Sequence, residues 1–262
     1  MNYLELLNEG ERTFLDKIRD GLVAHDEVQA MSVIGSLAKG HYSENSDIDI
    51  LVLVKHDDFS LEECKAYSDA LGFNAELKDD AYDFVYNKRN FSLLFKDCDT
   101  FLDNIQDIMN GGQLEIVFKP WAYGGMITDV LLLDVRNEII VFDKDGRLKN
   151  YSESLKQGYP KKLADSLIEY NRNFIKSRLN ALNRFVTNPL MSEIIKGELM
   201  ISFVRYIYAS KGNFNPGLKH IFGCDNLSFL EENMPELLSM CEAKDDIKKL
   251  AELISKHMEG DE

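Results

Sequence analysis

The sequence predicts an α+β fold with an N-terminal mixed-sheet domain at residues 1–150, followed by a C-terminal helical bundle at residues 151–262. In the first part, short apolar segments alternate with helical patterns, which is typical of a sheet covered by helices. Beyond residue 150 the apolar residues recur at helical spacing alone. At 262 residues and 45% hydrophobic content, the chain can bury two modest cores.

The N-terminal domain is predicted to begin with an amphipathic helix. Its apolar stripe consists of Leu4, Leu7, Phe14, Leu15, Ile18 and Leu22. The next elements are a strand over 30–34 and a second strand in IDILVLV, whose β-branched residues favour a sheet. They are followed by a helix over 61–71, a β-hairpin of YDFVYN and NFSLLF joined by Lys88 and Arg89, a helix over 99–109 and a strand in QLEIVF.

The C-terminal domain is predicted to be helical throughout. One helix follows Pro160, and a second begins at Pro189 and ends at Lys211 and Gly212. Two further helical patterns close the chain. Their aromatic residues are most simply explained as core.

A Gly-Ser pair follows the first predicted strand. Gly35 allows a tight turn and a close approach to a ligand, because it has no Cβ. Ser36 supplies a hydroxyl and a backbone amide, and a short helix from Ser36 to Lys39 would direct its first amides toward phosphate oxygens. We therefore predict that Gly35, Ser36 and Lys39 bind a nucleotide.

Asp47 and Asp49 lie at the start of the second strand, two residues apart. Alternation along a strand places both carboxylates on one face. Because neighbouring carboxylates repel each other, they indicate a cation, and oxygen ligands suit Mg²⁺ or Mn²⁺. The alternative interpretation is a solvated surface turn.

This Gly-Ser turn followed by Asp-x-Asp resembles the signature of the nucleotidyltransferase superfamily related to DNA polymerase β. The resemblance implies that Gly35 and Ser36 hold a nucleoside triphosphate, and that Asp47 and Asp49 bind the catalytic metal. It also implies that a nucleotidyl group is transferred to an acceptor.

The resemblance implies a third carboxylate on a neighbouring strand. Asp83, Asp97 and Glu115 are the candidates, and we select Glu115 because it lies between Leu114 and Ile116 in an otherwise apolar strand. Glu115 would then be catalytic, as general base. Asp83 is the next candidate. A solvent-facing Glu115 on an edge strand is the alternative.

The run GGQLEIVFKPW and the helical second half resemble small-molecule antibiotic nucleotidyltransferases, in particular the lincosamide enzymes and, more distantly, the aminoglycoside 6-adenylyltransferases. That likeness implies ATP as donor, an antibiotic-like acceptor held by the second domain, and a role in antibiotic resistance. Gln113 stands where the lincosamide pattern places its glutamate. Two other hypotheses stay open: transfer to a protein target, as in toxin-antitoxin systems, and a nucleotide-binding protein with impaired catalysis.

Composition limits the classes of partner that we expect. A net charge of −15 disfavours a nucleic-acid substrate. No signal peptide or membrane-spanning segment is predicted, and Cys64, Cys98, Cys224 and Cys241 lack zinc-site spacing. We therefore expect a cytoplasmic protein with reduced thiols and no membrane partner. The oligomeric state is left open, with a homodimer possible.

Overall fold

A computed structural model supplies the structure of the chain. It describes residues 7–40, 43, 46–55, 65–66, 69, 71–72, 76–78, 81–112, 116–117, 126–127, 129–185, 187–217, 221, 228–235 and 247–259. Glu115, and most of the helix predicted over 61–71, lie outside these residues.

The helices and strands are numbered here in chain order over the described residues. The strands are β1 (Val28–Ile34), β2 (Ile48–Val54), β3 (Glu76–Lys78), β4 (Ala81–Tyr86), β5 (Arg89–Asp97), β6 (Ile116–Val117), β7 (Met126–Ile127) and β8 (Ile139–Asp143). The helices are α1 (Glu9–Val23), α2 (Gly35–Ala38), α3 (Cys98–Met109), α4 (Val130–Asn137), α5 (Arg147–Gln157), α6 (Lys161–Phe185), α7 (Pro189–Ser210), α8 (Ser228–Asn233) and α9 (Ile247–Glu259). This content confirms the predicted α+β fold, with the sheet in the first part of the chain and helices in the second.

Contacts divide the chain into two compact units. The first comprises 1–106 and 131–158, and the second comprises 107–130 and 159–262. The division is interleaved in sequence, whereas the pattern of apolar residues predicts a single boundary after residue 150. That boundary stays a prediction.

The first unit contains a six-stranded mixed sheet in the order β3-β4-β5-β2-β1-β8. Strand β2 runs parallel to β5 and antiparallel to β1. One face of the sheet carries fully buried apolar side chains that form a core with α1. They include Met31, Val33, Ile48, Ile50, Val52, Phe91 and Leu93.

Helix α1 begins with a capping box. The Asn8 side chain accepts a hydrogen bond from the Glu11 amide, and the Glu11 carboxylate accepts one from the Asn8 amide. The predicted stripe from Phe14 to Leu22 is buried against the sheet, as its helical spacing requires.

The predicted hairpin is present as β4 and β5, but the turn lies one residue earlier than predicted. Asn87 and Lys88 form it, with φ values of 48° and 69°. Two consecutive residues at positive φ give the tight turn whose twist matches the strands it joins. As a result Arg89 is the first residue of β5 and not a turn residue.

The second unit is built mainly on α6 and α7. Asn188 caps α7, accepting a hydrogen bond from the Met191 amide, and Pro189 occupies the first turn. Every residue from 202 to 209 is buried, so this half of α7 is surrounded by the rest of the unit. No helix among the described residues is both long enough and apolar enough to cross a membrane.

Candidate nucleotide and metal site

The Gly-Ser turn and the aspartate pair meet because β1 and β2 are antiparallel neighbours. The last residue of β1, Ile34, pairs with Asp49, so the turn that follows β1 lies beside the start of β2. Gly35 adopts a φ of +70°, and a Cβ built on it would lie 2.2 Å from Asp49 Oδ2. The position therefore requires glycine for its backbone conformation and for the space that Asp49 occupies.

Ser36 lies in α2, a single helical turn that directly follows β1. Its residues are tied by backbone hydrogen bonds from the Lys39 amide to the Gly35 carbonyl and from the Gly40 amide to the Leu37 carbonyl. Leu37 is fully buried, while Ser36 is half-buried. The turn is thus anchored through Leu37 and presents Ser36 at the surface of the unit.

The two aspartates differ in environment. Asp47 is exposed just before β2, and its Oδ1 accepts a 3.0 Å hydrogen bond from Asn90 Nδ2. Asp49 is half-buried within β2. Burial, together with the charges of Asp47, Asp134 and Asp83, raises the pKa of Asp49 to about 6, while Lys39 opposes them.

Asp49 belongs to a row of polar residues across three strands. It pairs with Ser92 on β5, and Ser92 pairs with Asp83 on β4, so all three side chains project from the same face. The Ser92 hydroxyl donates a 2.7 Å hydrogen bond to Asp83 Oδ1. At the level of Asp49, the neighbouring strand β5 therefore carries Ser92, and the next strand, β4, carries the carboxylate of Asp83.

Lys39 is held in an ion pair. Its Nζ lies 2.7 Å from Asp134 Oδ1 on α4, and the Lys39 side chain is only 8% exposed. The ammonium group is also close enough to lower the pKa of Asp49. Lys39 thus acts on Asp49 as a positive charge held in place by Asp134.

A further carboxylate is buried near β1. The Ser32 hydroxyl donates a 2.8 Å hydrogen bond to Glu138 Oε2, and Glu138 is 4% exposed. Burial raises the pKa of Glu138 to about 8, against the opposing effects of Ser32 and Lys156. Because Ser32 and Ile34 are alternate residues of β1, Ser32 shares a sheet face with Asp49.

No three His, Cys, Asp or Glu side chains among the described residues come together as a ready-made metal site. The donor set of Asp47 and Asp49 nevertheless fits Mg²⁺ or Mn²⁺. Mg²⁺ is commonly held by one or two carboxylates, with water and substrate phosphates completing its shell. A bound cation would also stabilise the ionised form of Asp49, which is half-buried, has a raised pKa and lies next to Asp47.

The structure brings four of the predicted site residues together: Gly35, Ser36, Asp47 and Asp49. It places Lys39 beside them but bound to Asp134. Glu115 lies outside the described residues, so its predicted role stays a prediction.

Sequence reasoning missed Asn90 and Ser92, which face the two aspartates from β5. Their alternation in NFSLLF repeats the spacing of Asp-x-Asp and is the signal that could have identified them. Nothing local in the sequence marks Asp134 or Glu138, because both reach the site region through the packing of α4 and the following residue.

A known family matches the part of the chain that contains Gly35, Ser36, Asp47 and Asp49. Residues 15–112 match the family model described as "Nucleotidyltransferase domain". The N-terminal region is a nucleotidyltransferase domain. The match includes the Gly-Ser turn and both aspartates and ends before Glu115. No curated protein matches the chain.

A solved structure of a nucleotidyltransferase-like protein shares the fold. A nucleotidyltransferase-like protein from Exiguobacterium sibiricum aligns with a TM-score of 0.51 at 10% identity, covering 91% of this chain and 70% of its own. At that identity the likeness concerns the fold alone. A STING-associated CdnE c-di-GMP synthase from Capnocytophaga granulosa aligns with a TM-score of 0.28 at 12% identity, covering 94% of this chain and 81% of its own.

Proposed function

We propose that this protein is a metal-dependent nucleotidyltransferase that moves AMP from ATP onto a hydroxyl of a small antibiotic-like molecule. The observation that carries the proposal is the contact between the Gly35 turn and Asp49, beside Asp47. It joins a turn suited to phosphate with a carboxylate pair suited to a cation. The nucleotidyltransferase domain match over 15–112 supports the same chemistry.

Each part of the site has a role in this proposal. Asp47 and Asp49 would hold Mg²⁺ or Mn²⁺, which neutralises phosphate charge when bound. Gly35 and Ser36 would hold the β- and γ-phosphates of ATP, since a glycine without Cβ lets phosphate oxygens approach the backbone. Lys39, fixed by Asp134, would add a positive charge near the nucleotide.

Removal of the acceptor proton needs a base. Glu115 is the base that we propose from sequence. Asp83 is the alternative, and its geometry supports it, because Ser92 connects it by a hydrogen bond to the row that contains Asp49. Either carboxylate would accept the proton as the acceptor oxygen attacks the α-phosphorus and pyrophosphate leaves.

The acceptor class is inferred from the resemblance of the chain to lincosamide and aminoglycoside nucleotidyltransferases. A net charge of −15 is compatible with a cationic aminoglycoside and unfavourable for nucleic acid. A neutral or weakly basic lincosamide fits the same chemistry.

The test is to incubate the protein with ATP, Mg²⁺ and a panel of antibiotics. Pyrophosphate release and an AMP adduct on one acceptor, detected by mass, are the expected results. Asp47→Asn should abolish both, whereas Asp16→Asn, an exposed aspartate on α1, should retain them. Pyrophosphate release with the AMP adduct on a protein would mean that the acceptor is a protein and not a small molecule. Absence of both would contradict nucleotidyl transfer.

A further inference from the structure

Arg89, the first residue of β5, contacts the turn that precedes Asp47. Its Nη1 donates hydrogen bonds to the carbonyl oxygens of Ser43 and Ser46, at 3.3 and 3.1 Å. Its Nε donates to Glu11 Oε1 at 3.0 Å, and the arginine side chain is only 14% exposed. One guanidinium group therefore links the turn to helix α1.

Glu11 is a fixed anchor for this link. Its Oε1 accepts from Arg89, while its Oε2 accepts from the Asn8 amide in the capping box of α1. The Glu11 side chain is 6% exposed, so both oxygens are held inside the protein. A buried carboxylate with both oxygens engaged cannot move without breaking the helix cap or the ion pair.

The turn that Arg89 holds is itself closed. The Ser46 amide donates to the Ser43 carbonyl at 3.0 Å, and the Ser43 amide donates to Ser46 Oγ at 3.0 Å. Asp47 follows directly, and Asn90, the neighbour of Arg89, donates to its carboxylate. Arg89 thus fixes the backbone immediately before Asp47, and Asn90 fixes the side chain of Asp47.

We propose that Arg89, anchored on Glu11, is a positioning residue for the cation site: it places Asp47 for metal binding without contacting Asp47. The proposal rests on the function proposed above, because it assigns Asp47 to the cation. The geometry favours positioning over a simple ion pair. Besides the Glu11 carboxylate, Arg89 contacts the carbonyl oxygens of Ser43 and Ser46, and an ion pair with Glu11 would not by itself require those two contacts. A lysine has one nitrogen and cannot reproduce the fork of donors.

The experiment compares Arg89→Met and Arg89→Lys with Arg19→Met, which removes a partly exposed arginine paired with Asp16 and Asp20. The two readouts are amide hydrogen exchange over residues 43–47 and Mn²⁺ binding followed by electron paramagnetic resonance. For both Arg89 variants we expect faster exchange in this segment and Mn²⁺ binding weaker by about 10- to 100-fold, the usual cost of losing a group that supports a metal ligand. Arg19→Met should match the native protein in both.

Native exchange over 43–47 together with native Mn²⁺ binding in Arg89→Met would overturn the positioning role. Should Arg89→Met fail to fold, Arg89→Lys decides the question. If that variant also fails to fold, Arg89 serves general stability and the proposal is overturned. Neither readout uses ATP or an acceptor. A native protein that binds Mn²⁺ but releases no pyrophosphate would therefore contradict the proposed reaction alone.

Discussion

The carboxylate of Asp49 occupies the space in which a Cβ on Gly35 would lie. A Cβ at this position would overlap Asp49 Oδ2 and lie 3.1 Å from Asp49 Cγ, and Gly35 also has a φ of +70°. The absence of a side chain at Gly35 thus allows the Gly-Ser turn and the carboxylate of Asp49 to lie in contact. This contact couples the Gly-Ser turn to the aspartate pair, the two parts of the site that the sequence predicts.

Gly35→Ala should displace Asp49 as well as strain the turn. Gly146→Ala is the matched control, because Gly146 has the same φ of +70° with no atom within 4 Å of its built Cβ. Both variants should lose about 1–2 kcal/mol of unfolding free energy from the backbone, and Gly35→Ala should lose more. Urea denaturation and Mn²⁺ titration measure the two effects. Equal losses with unchanged Mn²⁺ binding would contradict the coupling.

ATP should bind weakly without a divalent cation. The carboxylates of Asp47 and Asp49 would otherwise face the triphosphate as uncompensated charges, with Asp134 and Asp83 adding to the field at Asp49. Calorimetry with Mg²⁺ and with a chelator should show a loss of affinity of at least about tenfold on chelation. Equal affinity in the two conditions would remove the metal assignment.

Asp49→Asn should abolish transfer and stabilise the metal-free protein. The pKa of Asp49 is raised from 3.8 to about 6 on folding, so its contribution favours the folded state below pH 4 and is lost as the pH rises through 6. At pH 7 a neutral amide should therefore add on the order of 1–2 kcal/mol to the free energy of unfolding.

Thermal denaturation at pH 7 without metal measures the effect of Asp49→Asn. Asp47→Asn is the control, and it should give a smaller gain because Asp47 is exposed. A lower melting temperature for Asp49→Asn would mean that the carboxylate is satisfied without a cation.

The general base can be identified by comparing Glu115→Gln with Asp83→Asn. Loss of the base should lower turnover by about two to four orders of magnitude while leaving ATP affinity nearly unchanged, because proton removal acts in the transition state. If the residue also binds the metal, affinity for ATP with Mg²⁺ should fall too. Steady-state kinetics and calorimetry separate these cases. Normal turnover in both variants would place the base elsewhere.

Glu138 should make stability fall at alkaline pH. Its pKa is raised from 4.5 to about 8, so it favours the folded state most at acidic pH, and that contribution disappears as the pH rises through 8. Between pH 7 and pH 9 the native protein should lose about 1 kcal/mol through this group. Glu138→Gln should reduce that loss, as measured by urea denaturation at each pH. An unchanged pH dependence would show that Glu138 does not titrate in this range.

The local features of the site could be predicted from sequence because each depends on a few adjacent residues. The turn at Gly35 follows from an apolar strand ended by a residue without Cβ, and the proximity of Asp47 to Asp49 follows from their spacing of two residues. The common strand face predicted for the two aspartates stays a prediction, because Asp47 lies just before β2. The capping box at Asn8 and Glu11 and the fold class follow from local patterns of the same kind.

Only the tertiary structure decided which distant residues complete the site. The pairing of β2 with β5 brings Asn90 and Ser92 to the aspartates, and the packing of α4 brings Asp134 to Lys39. Strand register depends on the whole sheet, and an ion pair between residues 39 and 134 leaves no local signal. Arg89 combines the two kinds of information. An arginine is visible in the sequence, but its contacts with Glu11 and with the Ser46 carbonyl exist only because β5 pairs with β2 and lies beside α1.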